Sequence, residues 1–202
     1  MDMIRLDVYF DYLCPYVHRA IVWLEQVKAE MGPNLTISWC YFSLEQSNNK
    51  KGAQWKIWEQ PENRSRGLLA FWASEAARQQ GEDIFDRFRT ALLKAKHEQE
   101  REIADINVIN DVAENVGLNI SRFRRDIANR NLLTRLSKDH NFAVNTLGIF
   151  GTPTLVFAEN QAIFLKLSEV PPAEESLSIF EGLHDLATQK TYIQELKRPE
   201  TQ

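Results

Sequence analysis

Cysteine is scarce in this chain, with two thiols among 202 residues, which excludes a fold held by a disulfide framework or a cysteine-rich metal centre. Of the four histidines, His97, His140 and His184 show no metal-ligand spacing relative to either cysteine, and no metal is expected. Eight glycines form neither a dinucleotide fingerprint nor a phosphate loop, which removes those nucleotide chemistries. No apolar run approaches the ~20 residues of a membrane span. Asp2, Arg5, Asp7 and Asp11 break up any leader-type apolar core near the N-terminus, so no leader is expected. The net charge of −4 and pI of about 5.7 argue against nucleic acid or an anionic membrane as partner. Basic residues cluster only at Arg122, Arg124 and Arg125, with the spacing of a solvated helix face. These features point to a cytoplasmic globular protein without a bound cofactor, in which the Asn-x-Ser/Thr matches at Asn34, Asn63 and Asn119 carry no weight.

One of the two thiols stands at a telling place. Ile4–Phe10 has the composition of a strand, and Phe10-Asp11-Tyr12-Leu13-Cys14-Pro15-Tyr16-Val17-His18 carries it into a helix. At a helix start a sulfur faces unpaired backbone N–H groups and the positive end of the macrodipole, and both favour the nucleophilic thiolate. Pro15 suits the first helical position, where its missing N–H would have had no partner. Ala20, Ile21, Trp23, Leu24 and Val27 recur at helical spacing, and Gly32-Pro33 should end the helix near Glu30. A second strand over 35–42 then makes a right-handed β-α-β crossover with parallel strands. Cys40 lies in that strand, either as a small buried hydrophobe or as a redox partner for Cys14.

Residues 43–62 read as an irregular loop whose Trp55 and Trp58 either pin it to the core or line a cleft mouth near Cys14. From 64 to 147 the pattern is helical. One stripe holds Leu68, Trp72 and Ala76; another holds Phe85, Phe88, Leu92 and Ala95. Asp105 is placed to cap a helix carrying Ile106, Ile109, Val112, Ala113 and Val116, stopped by Gly117. Ser121 is placed to cap the next, with Phe123, Ile127, Leu133, Leu136, His140 and Val144 inward. About four helices are expected in this block. Strands return at 153–157 and 162–165, joined by a turn over 158–161, and Pro171-Pro172 leads into a last helix with Leu177, Phe180, Leu183 and Ala187 inward. The fold class is therefore α/β, a thioredoxin fold interrupted by an all-helical insertion. The thioredoxin-like part takes residues 1–62 and 148–202, the insertion 63–147.

With those elements in order, the chain resembles the DsbA family in its cytoplasmic branch, together with the related 2-hydroxychromene-2-carboxylate isomerases and kappa-class glutathione transferases. The likeness rests on Phe10-Asp11-Tyr12-Leu13-Cys14-Pro15-Tyr16 and on Gly148-Ile149-Phe150-Gly151-Thr152-Pro153-Thr154-Leu155-Val156-Phe157, and spans nearly the whole chain. The second segment is similar to the family's cis-proline loop, although a trans Thr152-Pro153 opening a strand fits the residues too. The resemblance implies that this loop faces Cys14 across an open groove and that the Thr152 backbone pairs with an extended peptide or with glutathione. Substrate contacts are then expected from Pro15, Tyr16, Gly151, Thr152 and Pro153.

Here the chain departs from the family pattern. Redox members carry Cys-x-x-Cys, whereas the fourth position is Val17. A lone thiolate can form a mixed disulfide, but its motif supplies no neighbour to resolve it. The expected activity is thus thiol–disulfide exchange by Cys14 alone, with an external thiol such as glutathione as co-substrate. The partner is a protein or small-molecule disulfide. His18, one helical turn on, either stabilises the thiolate and relays a proton or is a half-exposed edge histidine. Asp11, Tyr12 and Tyr16 are expected near the sulfur. Two other functions fit the residues: a glutathione-dependent transferase or isomerase acting on a small hydrophobic molecule, and a non-catalytic binding module. The sequence leaves the oligomeric state open, a homodimer included.

Overall fold

The computed structural model describes residues 3–52, 54–61 and 65–199. β1 (Ile4–Phe10) is followed by α1 (Pro15–Met31) and β2 (Leu35–Tyr41), and β1 and β2 run parallel with Ile4 opposite Leu35 and Phe10 opposite Tyr41. Gly32 ends α1 at φ +56, a left-handed backbone that glycine adopts without a Cβ penalty, and its N–H returns to the Lys28 carbonyl. The later strands, β3 (Thr154–Val156) and β4 (Ala162–Phe164), form an antiparallel pair and complete a four-stranded sheet in the order β2-β1-β3-β4. Both are shorter than their sequence pattern predicts. Pro153 has no N–H for a ladder, and the connection between them is a 3-10 turn with Glu159 and Asn160 at positive φ.

Alternation along the strands divides the core. Leu6, Val8 and Phe10 of β1, with Trp39 and Tyr41 of β2, enter the main hydrophobic cluster; Tyr9 and Cys40 enter a smaller one with Phe42, Ala143, Ile149 and Val156. The last helix, α8 (Ala173–Gln189), is fixed to α1 through Trp23, whose ring lies 6.2 Å from Phe180 and whose Nε1–H donates to the Ser176 carbonyl at 3.2 Å. Both rings are fully buried, and truncating either is worth about 3–5 kcal/mol.

The segment after β2 is not wholly irregular. Ser43 accepts the Gln46 N–H and caps a short helix α2 (Leu44–Ser47), and Ile57–Glu59 makes a 3-10 turn. Trp55 and Trp58 are half-buried against the main core, and the Trp58 ring lies 5.7 Å from that of His140. They pin the loop down.

Among the described residues the helical block has five helices where the pattern predicts about four: α3 (Leu68–Arg78), α4 (Glu82–His97), α5 (Ile106–Asn115), α6 (Ile120–Asp126) and α7 (Leu133–Asn145). Its first expected residues, Asn63 and Arg64, lie outside the described residues. All seven predicted stripe residues of α3 and α4 are buried, and Asp105 caps α5 through the Asn107 N–H. The extra helix arises because the run expected to start at Ser121 breaks at Asn129, whose side chain accepts the Asn131 N–H and opens a 3-10 turn. Its true cap is Asn119, which accepts the Arg122 N–H, not Ser121. With the break the helical phase resets, so Val144 is 42% exposed rather than inward.

Candidate functional site

Cys14 is the N-cap of α1, in extended backbone with φ −88 and ψ 115, and Pro15 follows as the first helical residue. The first turn carries no acidic side chain, so nothing within the helix opposes its positive end. At the same end of the sheet, where Tyr9 pairs with Thr154, residues 148–153 lie over this point. The loop is anchored to α7 where Ile149 N–H donates to the Ala143 carbonyl at 2.9 Å, and Thr152–Pro153 is a cis peptide. Cys14 Sγ–H donates to the Thr152 carbonyl at 3.1 Å.

That contact changes one expectation. In place of an open groove above the sulfur, Cys14 is 5% exposed, and Thr152 and Pro153 are buried with it. Accessible surface remains beside it, on exposed Pro15 and half-buried Tyr16. Thr152 Oγ1 is buried with no hydrogen-bond partner among the described residues, so polar capacity is left over next to the thiol. Gly151 is closely packed: a Cβ there would sit 3.0 Å from Phe164 Cε2, so the ring would have to shift. Phe164 also packs against Phe150, the rings tilted with centroids 5.1 Å apart, and Phe150, 72% exposed, forms an apolar rim at the loop.

The expected neighbours of the sulfur have other partners. Asp11 is fully buried, and its carboxylate accepts the N–H groups of Leu13 at 2.8 Å and Leu44 at 2.6 Å. Burial pushes its pKa up to about 7 against the lowering effect of those two donors. Tyr12 is fully buried and hydrogen-bonded to Ser74 on α3. The Tyr16 ring has Lys166 Nζ 5.0 Å and the Arg19 guanidinium 5.6 Å from its centroid. His18 directs Nε2 to Glu98 at 3.1 Å, beyond the end of α4. Val17, at the fourth motif position, is buried.

Both cysteines are free. Cys40 belongs to the smaller cluster, and burial first, then the charge of Asp139, pushes its thiol up to about 12, so it stays protonated at neutral pH. It behaves as the small hydrophobe of the two readings offered above.

Two supports went unread in the sequence. His97 donates a ring N–H to the Tyr12 carbonyl at 2.8 Å and steadies the approach to Cys14; burial lowers its pKa. Arg19 donates to the Leu167 carbonyl at 3.1 Å, tying α1 to the segment after β4. Neither leaves a periodicity or motif, because both are contacts between distant segments.

The chain is similar to known proteins in sequence and in fold. An uncharacterized protein of Mycobacterium tuberculosis is 28% identical over 203 residues, covering 98% of this chain and 84% of that protein. The crystal structure of a thioredoxin-like oxidoreductase from Silicibacter pomeroyi is similar in fold, with a TM-score of 0.62 and 21% identity over 93% of this chain and 88% of that one. The cytosolic disulfide reductase DsbM of Pseudomonas aeruginosa, solved with GSH, gives 0.61 and 16% over 90% of this chain and all of its own. A 2-hydroxychromene-2-carboxylate isomerase gives 0.65 and 14% over 95% of this chain and all of its own. The family of DSBA-like thioredoxin domains matches residues 5–171, and the chain belongs to that family.

Proposed function

We propose that the protein is a monothiol thiol–disulfide oxidoreductase that reduces glutathione-mixed or other small disulfides through Cys14. The observation that carries this reading is the approach of Cys14 Sγ to the Thr152 carbonyl. Thiol–disulfide exchange proceeds through the thiolate, which has no proton to donate to that carbonyl. The contact then turns repulsive, and the sulfur is released toward the accessible Pro15–Tyr16 side. The thiolate attacks the glutathionyl sulfur of a mixed disulfide, forming Cys14–S–S–glutathione and expelling the substrate as a thiolate that takes up a proton. A second glutathione, as thiolate, attacks the enzyme-bound glutathionyl sulfur, which yields oxidised glutathione and restores Cys14. External glutathione is needed because Val17 cannot resolve the intermediate. Backbone at Thr152 and the aromatic rim at Phe150 support an extended or partly apolar substrate. A reducing compartment such as the cytoplasm would supply the thiol.

The decisive experiment couples reduction of a glutathione-mixed disulfide to glutathione reductase, with mass spectrometry after exposure to oxidised glutathione. Wild type is expected to turn over and to gain one glutathionyl group on Cys14, and Cys14→Ser to do neither. A wild-type protein without turnover or adduct would overturn the proposal. A second reading, a glutathione-dependent isomerase or transferase on a small apolar molecule, is favoured by Val17 and the exposed Phe150. Conversion of an aromatic electrophile with glutathione, without disulfide reduction, would select it.

A further inference from the structure

A groove of about 560 Å³ opens between α1, β2, α4 and the end of α5, and none of its lining residues belongs to the Cys14 site. Part-exposed Ile37, Ala91 and Val116 give it apolar surface over buried Leu24 and Trp39; exposed Lys28, Arg87 and Lys94 stand on its rim. Arg89 on α4 lines it while only 3% exposed. The guanidinium carbon lies over Trp39, 3.5 Å from the ring centroid. Such a ring contact offsets part of the charge, but the N–H donors still need acceptors. Nη2 has Asp86 and Thr90, each at 3.5 Å. Nε and Nη1 are buried without any partner among the described residues.

A natural protein rarely leaves two donors of a buried cation unmet. Asp86 does not complete the pairing: 3.5 Å is well beyond the ~2.7–2.9 Å of a charge-assisted hydrogen bond, and its side chain is 38% exposed. Glu25, the other acid at the groove, already accepts from Thr90 at 3.1 Å. The lining therefore keeps a cationic excess around an apolar surface, with the strongest unmet demand at its buried wall. Its volume falls in the range of small-molecule sites, ~300–1,000 Å³.

We propose that this groove binds a small amphipathic organic anion, whose carboxylate, sulfonate or phosphate pairs with the edge of Arg89 while its apolar body covers Ile37, Ala91 and Val116. Asp86 acts as a weak internal competitor that the ligand displaces. The site is independent of the chemistry assigned to Cys14.

The test uses the full chain and 8-anilinonaphthalene-1-sulfonate, followed by fluorescence and by titration calorimetry. N-phenyl-1-naphthylamine, which lacks the sulfonate, is the neutral control. The expected result is one sulfonate probe per chain, held about threefold more tightly by Asp86→Ala and about threefold more weakly by Lys94→Glu, the size of one partly exposed charge contact. Arg89→Leu should abolish saturable binding, while the neutral probe changes little across the set. Because Arg89 is a core residue, the Asp86→Ala gain keeps the test informative if Arg89→Leu does not fold. Sulfonate binding indifferent to Asp86→Ala and Lys94→Glu would overturn the proposal. So would equal responses of both probes, or a groove covered by a second copy of the chain in sedimentation.

Discussion

Asp11 reaches across 33 residues of chain to Leu44, accepting its main-chain N–H at 2.6 Å, while its second oxygen holds the N–H of Leu13 one residue before Cys14. One carboxylate thus fastens the turn into the reactive helix to the segment that leaves β2. An asparagine can accept through only one of those positions, so Asp11→Asn leaves a buried N–H unmet. The expected loss is about 1–3 kcal/mol by urea unfolding at pH 7.5.

The same carboxyl has a pH signature. Burial raises its folded pKa to about 7, above the unfolded value near ~3.9. Between those values the folded state binds the extra proton, so this group's contribution to stability falls as pH rises from about 4 to 7 and is level beyond. The stability difference between wild type and Asp11→Asn, measured by urea titration at several pH values, should decline over that window. A difference that stays flat would mean that Asp11 is ionised throughout.

His140 should act with the opposite sign. Its Nδ1 accepts the Ser43 N–H at 3.1 Å, its ring lies 4.7 Å from that of Phe42, and burial, with Lys56 nearby, lowers its pKa to about 4. The unfolded state takes up a proton from about pH 6.5 downward and the folded state does not, so stability is lost as pH falls from 6.5 toward 4. His140→Asn keeps an acceptor for Ser43 without titrating. Relative to wild type, its unfolding midpoint should hold steady across that window.

Val17 occupies the place of a resolving thiol, and residues three apart at a helix start lie within disulfide reach. Val17→Cys should form an intramolecular disulfide between Cys14 and the introduced thiol under mild oxidation, seen as a loss of two thiols. It should also reduce insulin with dithiothreitol faster than wild type, and with less dependence on glutathione. Unchanged thiol counts would show that Cys14 cannot turn toward α1.

Gly151→Ala would set a methyl 3.0 Å from the Phe164 ring. Phe164 is only half-buried and can shift, so the expected cost is about 1 kcal/mol, with a larger proportional effect on Cys14 turnover because the same loop carries Thr152. Chemical denaturation and the coupled reductase assay, run side by side, check this.

Local chemistry made much of the molecule legible in advance. Pro15 after Cys14, Gly32 after α1 and Asp105 before α5 mark helix ends through backbone hydrogen bonds completed within a few residues. The stripes of α3 and α4 declare their buried faces by the same logic, because a 3.6-residue period is written along the chain. The lone sulfur at a helix start, and the absence of a thiol at Val17, needed no coordinates either. Such signals failed where a local competitor intervened, as at Asn129, whose side chain opened a turn and shifted Val144 out of the core.

What tertiary structure decided are the contacts whose partners lie far apart in the chain. That Thr152 closes over Cys14, that Asp11 turns to Leu44, that His18 faces Glu98, and that Arg89 lies over Trp39 with two donors unmet follow from how sheet and helices pack. The physical reason is range: capping and periodicity act over one or two turns of backbone, whereas a site assembled from segments 138 residues apart exists only once the intervening chain has folded.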